Sequence, residues 1–193
     1  LHWCQHRHPW VTVKMAVDTH GSVDDRSLEA QRFTSEVCLD HVHALRKECD
    51  AVLVGVETVV RDNPQLTVRR VKTERQPLRV IIDPNQRTPE DAILLTDEHQ
   101  TLVMGEEFSS LPALLNLLGD QEIQRLMVEG GPTTIANFLD QGLVDEFYLI
   151  HSEVTHLQPV ASNIDAERLS SAGLSHTTTE QWGDETVHLW MRS

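Results

Sequence analysis

Two glycine-containing junctions of the sequence have the residue types and order expected of a phosphate-binding site. Each joins a short apolar run to residues that can begin a helix, at positions 54–58 and 128–134. The unpaired N–H groups and the dipole of a helix N-terminus favour an anion, and glycine lets a ligand approach the backbone closely. The second junction is the stronger candidate. There Gly130 and Gly131 precede Pro132, which suits the first helical position, and two threonines follow.

Neither junction has the G-x-G-x-x-G spacing of the common dinucleotide-binding fingerprint. The first junction is equally compatible with an ordinary tight turn between a strand and a helix. The residues by themselves therefore indicate a ligand that carries phosphate, and they do not identify that ligand.

The elements that must position these junctions alternate along the chain. Runs rich in β-branched and apolar residues predict strands at 10–17, 51–56, 78–83, 101–104, 125–129, 146–151 and 186–191. Helical spacing and capping residues predict helices at 36–49, 57–61, 111–118 and 133–141. The polar stretch 19–31 is expected to be a loop, and 163–183 is polar as well. This order predicts an α/β protein whose mostly parallel central sheet is flanked by helices, with an antiparallel C-terminal strand.

The composition argues against several classes of function. The 193 residues suit one domain over 1–193, with residues 1–8 as a disordered or linker segment. A formal net charge of −14, from 30 acidic and 16 basic residues, argues against nucleic-acid binding and against docking on an anionic membrane. No run approaches the roughly 18 apolar residues that a membrane span requires. A local basic pocket for a phosphorylated small molecule remains compatible with this charge.

Cysteine and histidine usage bears on location and on metal binding. Three cysteines without a C-x-x-C pair fit a reducing compartment, so a cytoplasmic location is expected. The chain has 11 histidines, but none of the common zinc motifs is present. No metal is therefore expected.

Seven segments follow one another in register and carry a family resemblance. They are Lys14-Met15-Ala16-Val17, Arg32-Phe33-Thr34-Ser35, residues 50–58, Asp62-Asn63-Pro64-Gln65-Leu66-Thr67-Val68-Arg69, residues 76–83, Val128-Glu129-Gly130-Gly131-Pro132-Thr133 and Gly142-Leu143-Val144-Asp145-Glu146. The series runs from about Pro9 to Ile150 and resembles the reductase domain of riboflavin biosynthesis. In that family the domain is usually the C-terminal half of a bifunctional deaminase–reductase.

The resemblance implies a dihydrofolate-reductase-like fold and an NADPH-dependent oxidoreductase. The implied reaction reduces the ribosyl group of 5-amino-6-(5-phosphoribosylamino)uracil, with hydride delivered to C1 of the open-chain imine. The cofactor performs this chemistry and the protein positions it. A homodimer is implied, as is a deaminase domain fused to or associated with this one.

The resemblance also assigns roles to individual residues. The substrate-contacting positions are Arg46, Leu66, Arg69 and Glu129. The cofactor-contacting positions are Ala16, Thr58, Asp62, Gly130, Gly131, Pro132, Thr133 and Thr134. Arg46 and Arg69 suit the ribose phosphate, because a guanidinium group can donate paired hydrogen bonds to it. Glu129 is expected beside the nicotinamide, where it could accept hydrogen bonds from the substrate. Leu66 is equally compatible with plain packing, and no catalytic residue is assigned.

Several residues depart from the family pattern around the expected site. The usual Ser-Leu-Asp-Gly is here Asp18-Thr19-His20-Gly21, and a Ser-x-Trp pair is replaced by Ala30 and Arg32. A serine that can meet the adenosine 2′-phosphate is replaced by Pro84, which leaves Arg87 as the candidate for that phosphate. The exact substrate and the preference for NADPH over NADH therefore stay open, as do the proton donor and the stereochemistry of hydride transfer.

Two alternatives follow from these departures. One is a related NAD(P)H-dependent reductase of another pyrimidine, pterin or sugar-imine substrate. The other is a non-catalytic relative that keeps a nucleotide pocket. Retention of Thr58, Asp62, Arg69 and Glu129 together speaks against the second alternative.

Overall fold

The predicted alternation of strands and helices is present in the computed structural model, which describes residues 7–25, 27 and 33–193. The strands are β1 (Trp10–Val17), β2 (Ser22–Asp25), β3 (Ala51–Gly55), β4 (Leu78–Ile82), β5 (Thr101–Met104), β6 (Arg125–Val128), β7 (Glu146–His151), β8 (Pro159–Ala161), β9 (Leu174–Trp182) and β10 (Glu185–Arg192). The helices are α1 (Glu36–Lys47), α2 (Val56–Asp62), α3 (Ile93–Thr96), α4 (Leu111–Asp120), α5 (Pro132–Asp140) and α6 (Ala166–Ser171). Residues 1–6 of the expected linker, together with Ala30 and Arg32, lie outside the described residues.

The main sheet of the described chain has eight strands in the order β5-β4-β3-β6-β1-β7-β10-β9. The six strands from β5 to β7 are parallel to their neighbours, and β10 joins β7 antiparallel with Trp190 opposite Phe147. The expected fold, mostly parallel with an antiparallel C-terminal strand, is therefore confirmed. The carboxyl ends of β1, β3 and β6 come together at one edge because these strands are neighbours.

Helices cover both faces of the sheet and divide the core into two layers. On one face, α4 and α5 pack Leu114, Leu118 and Phe138 against alternate residues of β1. On the other face, α1 and α2 contribute Cys38, Val42 and Val59. Every residue of β3 is buried, as expected for a strand covered on both sides. The two glycine-containing junctions directly follow the buried strands β3 and β6.

The structure has elements that the sequence analysis did not predict. Within the expected loop at 19–31, β2 pairs with β8 as a separate two-stranded sheet. Within the polar stretch at 163–183 lie α6 and β9, and β9 is exposed between its two end residues. A strand with both faces in water has no alternation of apolar and polar residues, which explains why β9 gave no strand signal.

Candidate functional site

A cleft of about 770 Å³ opens where the chain leaves β3 and β6. All four residues expected to contact substrate line it: Arg46, Leu66, Arg69 and Glu129. Six residues expected to contact cofactor line it as well: Ala16, Thr58, Asp62, Gly130, Gly131 and Pro132. Val23, Asp24 and Val160 of the small β2–β8 sheet form part of its wall. The fold therefore brings both groups of residues to one cavity at the carboxyl edge of the sheet, the usual ligand position in open α/β proteins.

Of the described residues expected in the cofactor site, Thr133, Thr134 and Arg87 lie outside the lining of the cleft. Thr134 packs behind the junctions instead. A Cβ atom at Gly55 would lie 2.5 Å from the Thr134 hydroxyl, and one at Gly130 would lie 2.8 Å from the Thr134 Cβ. Glycine at position 55 therefore lets the two junctions pack against each other, and glycine at position 130 leaves room for Thr134 within the second junction.

Gly131 differs from these two glycines. A Cβ atom there would meet only the Thr58 hydroxyl, at 3.7 Å, which is an ordinary contact. Gly131 also caps α5 with an extended backbone that any residue can adopt. Its absent side chain leaves space in the cleft at the N-terminus of a nine-residue helix, where N–H groups face an incoming ligand.

Arg87 lies on the surface after β4. Its guanidinium donates to the Glu57 carboxylate, and Glu57 itself lines the cleft. The buried Asp83 carboxylate holds this turn by accepting from the backbone N–H groups of Arg87 and Thr88. Arg87 is therefore attached to the border of the cleft through Glu57 and does not face its interior.

The floor of the cleft carries a buried ion-pair cluster. Glu129 accepts from Nε and Nη2 of Arg46 at 2.8 and 2.7 Å, and Lys14 Nζ lies 3.2 Å from its second oxygen. Burial raises the pKa of the Glu129 carboxyl, but the charges of Arg46 and Lys14 outweigh burial and bring the pKa to about 2. Glu129 is therefore an anion held between two cations.

The same cluster changes the interpretation of Arg46. Its third guanidinium nitrogen, Nη1, donates to the Thr67 carbonyl at 2.7 Å, so all three nitrogens bond within the protein. The sequence analysis expected a fork open to the substrate phosphate. In the structure this fork is directed at Glu129 and at the backbone, and a phosphate contact would have to replace one of these bonds.

Lys14 was not singled out from the sequence, although it belongs to one of the matching segments. It is the lone cation of the eight-residue strand β1. Because Val13 pairs with Val128 across β1 and β6, Lys14 and Glu129 are neighbours on adjacent strands. A lysine within an apolar strand could have pointed to Lys14 as a site residue. Its partner Glu129 could not be predicted, because the pairing depends on strand order and register.

Arg69 is exposed, lines the cleft and lies at the end of an irregular segment, residues 65–69. This segment has no regular secondary structure, and hydrogen bonds from side chains hold it. The Gln76 side chain bonds both backbone groups of Val68, and His43 Nδ1 accepts from the Arg69 N–H at 3.1 Å. Leu66 has a left-handed backbone, with a φ of 54°, and its side chain is buried. His43 also lines the cleft and was not singled out from the sequence.

The departures from the family pattern that the structure describes lie away from the cleft. Asp18 is buried and accepts from the backbone N–H groups of His20, Ser22 and His156 at 2.8–2.9 Å, and these contacts help hold its pKa below the ordinary value despite burial. His20 and Pro84 are exposed. Asp18 therefore organises the turn after β1 and ties it to the loop after β7.

No helix in the described residues is long and apolar enough to cross a membrane. Within the same part of the chain, no group of three or more histidine, cysteine or acidic side chains is arranged to hold a metal ion.

The sheet order gives an α/β protein with a dihydrofolate-reductase-like fold. Dihydrofolate reductase from Enterococcus faecalis superposes with a TM-score of 0.61 at 10% identity, covering 95% of this chain and 96% of that one. The sequence places the chain more narrowly. It belongs to the RibD C-terminal domain family, whose model matches residues 9–154. The resemblance inferred from the seven segments is therefore confirmed.

Individual relatives agree with this assignment. The chain is 34% identical over 193 residues to the riboflavin biosynthesis protein RibD of Aquifex aeolicus, covering 90% of this chain and 52% of the relative. It is 36% identical over 177 residues to 2,5-diamino-6-ribosylamino-4(3H)-pyrimidinone 5′-phosphate reductase of Archaeoglobus fulgidus, covering 76% and 81%. Acinetobacter baumannii RibD superposes with a TM-score of 0.87 at 25% identity, covering all of this chain and 60% of that one. The chain thus spans about half the length of the Aquifex RibD.

Proposed function

We propose that this chain is an NADPH-dependent reductase of a phosphoribosylaminopyrimidine in riboflavin biosynthesis. The observation that carries the proposal is that one cleft is lined both by Arg69 and Glu129 from the expected substrate set and by Thr58 and Gly131 from the expected cofactor set. Hydride transfer requires donor and acceptor side by side in a site of this kind. The Archaeoglobus relative is named as a reductase of such a compound, which supports the same reaction class.

Cofactor binding is supported by the space at Gly131 and by the N-terminus of α5 behind it. There the N–H groups of the helix would hold the pyrophosphate of the dinucleotide, with Thr58, Ala16 and Asp62 along the same cleft. When bound, the nicotinamide supplies the hydride. In this proposal Arg87 reaches the adenosine 2′-phosphate by exchanging its Glu57 partner, which would favour NADPH over NADH.

In this proposal, groups of the protein supply the proton and bind the substrate. The C1 carbon of the imine gains hydride, its nitrogen gains a proton, and the double bond becomes a single bond. The Lys14 ammonium lines the cleft as a proton source, and Glu129, itself held by Arg46, fixes its position. Arg69 binds the ribose 5-phosphate, since its guanidinium has paired donors at the exposed end of the irregular segment, residues 65–69.

The pyrimidine has two candidate forms. The resemblance implies 5-amino-6-(5-phosphoribosylamino)uracil, whereas the Archaeoglobus relative is named for the 2,5-diamino compound. Both carry the phosphoribosylamino group that the cleft residues would recognise. The uracil form is the leading candidate, and the 2,5-diamino form is the second.

Further parts of the proposal concern organisation. We infer that residues 1–193 act as one reductase domain in a cytoplasmic homodimer. We also infer that a deaminase domain is fused to this chain or acts beside it, because the chain accounts for only 52% of the Aquifex RibD.

The test is NADPH oxidation by the purified chain with each pyrimidine, compared with the dephosphorylated compounds. Turnover of a phosphorylated pyrimidine, with a much higher KM for its dephosphorylated form, is expected. NADPH binding without turnover of either form would contradict the proposal. Such a result would favour the non-catalytic alternative or the alternative of a different substrate.

A further inference from the structure

His43 occupies an unusual position for a histidine. It lies on the buried face of α1, lines the cleft, and is 3% exposed. Its Nδ1 accepts the backbone N–H of Arg69 at 3.1 Å, across 26 residues of chain. A ring nitrogen that accepts a hydrogen bond cannot carry a proton, so the ring must be the neutral tautomer with its proton on Nε2.

The charges around His43 maintain this state. Burial lowers the pKa of His43, and the positive charges of Arg46, Arg69 and Arg70 lower it further, to about 4, against a smaller opposing effect of Glu129. The ring is therefore neutral over the physiological range. A neutral ring can accept from Arg69 without placing another positive charge among the three arginines.

The contact with His43 adds to the side-chain hydrogen bonds that hold the irregular segment, residues 65–69. Arg79 donates to the Gln65 carbonyl, Arg46 donates to the Thr67 carbonyl, and Gln76 holds both backbone groups of Val68. These bonds hold the segment up to Val68, and the bond to His43 holds the Arg69 N–H. The amide nitrogen of Arg69 is bonded to the Cα atom that carries the side chain, so the contact with His43 helps set the direction in which the guanidinium leaves the backbone.

We propose that His43 is a positioning residue that holds the Arg69 backbone and so directs the Arg69 guanidinium to the substrate phosphate. The inference rests on the proposed function, in which Arg69 binds that phosphate. His43 touches neither the cofactor nor the reacting atoms in this account. Its loss should therefore affect recognition of the phosphate and spare the hydride-transfer step.

The experiment compares His43→Leu, which removes the acceptor, with His43→Asn, whose Oδ1 lies one bond from Cγ as Nδ1 does and can accept from the same N–H. His41→Leu is the matched control, because His41 lies on the same helix but is exposed and stacks on Trp182. The readouts are kcat, the KM of the phosphorylated substrate, the KM of NADPH, and binding of ribose 5-phosphate by calorimetry. Each variant is also made with Arg69→Ala.

We expect His43→Leu to raise the substrate KM and the ribose 5-phosphate Kd by roughly 3- to 10-fold, the usual effect of one hydrogen bond, with kcat and the NADPH KM nearly unchanged. His43→Asn should restore most of the loss, and His41→Leu should resemble the wild type. In the Arg69→Ala background, His43→Leu should have no further effect on KM, since the group it directs is gone.

Several outcomes distinguish failure of the positioning role from failure of the function on which it rests. If Arg69→Ala raises the KM but His43→Leu does not, or if His43→Leu has its full effect without Arg69, the positioning role is wrong and the proposed function stands. If Arg69→Ala itself leaves ribose 5-phosphate binding unchanged, the phosphate role that the proposed function gives to Arg69 is wrong, and the positioning role of His43 falls with it. Failure of His43→Asn to rescue a folded His43→Leu protein would also overturn the positioning role.

Discussion

The ion-pair cluster at the floor of the cleft leads to a quantitative prediction for Glu129→Gln. The carboxylate has an exposed fraction of 7% and faces two cations. A pKa lowered from 4.5 to about 2 corresponds to about 3 kcal/mol of stability at neutral pH. Removing one partner of a buried ion pair commonly costs about 3–5 kcal/mol. Because Lys14 is partly exposed and can turn to water, we expect the lower end, about 3 kcal/mol.

The pH dependence has a definite sign. Because the folded-state pKa of Glu129 is depressed, its contribution is fully present above pH 4.5 and is lost as the pH falls toward 2. Glu129→Gln should therefore unfold at lower urea concentration at pH 7. The difference from the wild type should then shrink as the pH falls from about 4.5 toward 2.

The assay is urea unfolding of the wild type, Glu129→Gln and the exposed control Glu90→Gln, followed by circular dichroism across this pH range. The control should match the wild type throughout. A Glu129→Gln protein as stable as the wild type at pH 7 would refute the reasoning. So would a deficit that does not change with pH, because the stabilisation could not then come from the ionised carboxylate.

The other predictions concern the cleft. Arg69→Ala should raise the substrate KM roughly 10- to 150-fold and spare NADPH binding, and Arg69→Lys should recover part of the loss, as steady-state kinetics would detect. Gly131→Val should abolish NADPH binding measured by fluorescence while its unfolding midpoint stays near the wild type, and unaltered affinity in the folded variant would remove this turn from the site. Arg87→Ala should reduce the ratio of NADH to NADPH dissociation constants, and an undiminished preference for NADPH would exclude Arg87. Lys14→Met should lower kcat by roughly 10²- to 10⁴-fold in stopped-flow reduction, and a normal rate would show that the proton comes from elsewhere.

The elements that bury apolar residues could be predicted from the sequence. β3 and β6 stand out as short apolar runs, and Gly130, Gly131 and Pro132 mark the turn that follows. The strands that were not predicted lack such an apolar pattern. β9 is a polar edge strand, and the β2–β8 pair is too short to have a periodic pattern.

The roles of charged residues were harder to predict, because they depend on neighbours distant in sequence. The sequence analysis predicts a substrate contact for Arg46, whereas the bonds of its three nitrogens to Glu129 and to the Thr67 carbonyl depend on the fold. Lys14 meets Glu129 only through the register of β1 against β6. His43 meets the Arg69 N–H only because the chain returns to α1 at Arg69. Composition and spacing identify such residue types, whereas the fold decides which atoms they meet.

The most direct test of the central claim is transfer of deuterium from the cofactor to the substrate. The chain would be incubated with NADPH labelled at the transferring position of nicotinamide C4 and with the phosphoribosylaminopyrimidine, and the product would be examined by mass spectrometry and NMR. We predict one deuterium at C1 of a ribityl chain. Binding of both ligands without label in the pyrimidine product would contradict the assignment of this cleft as a reductase site.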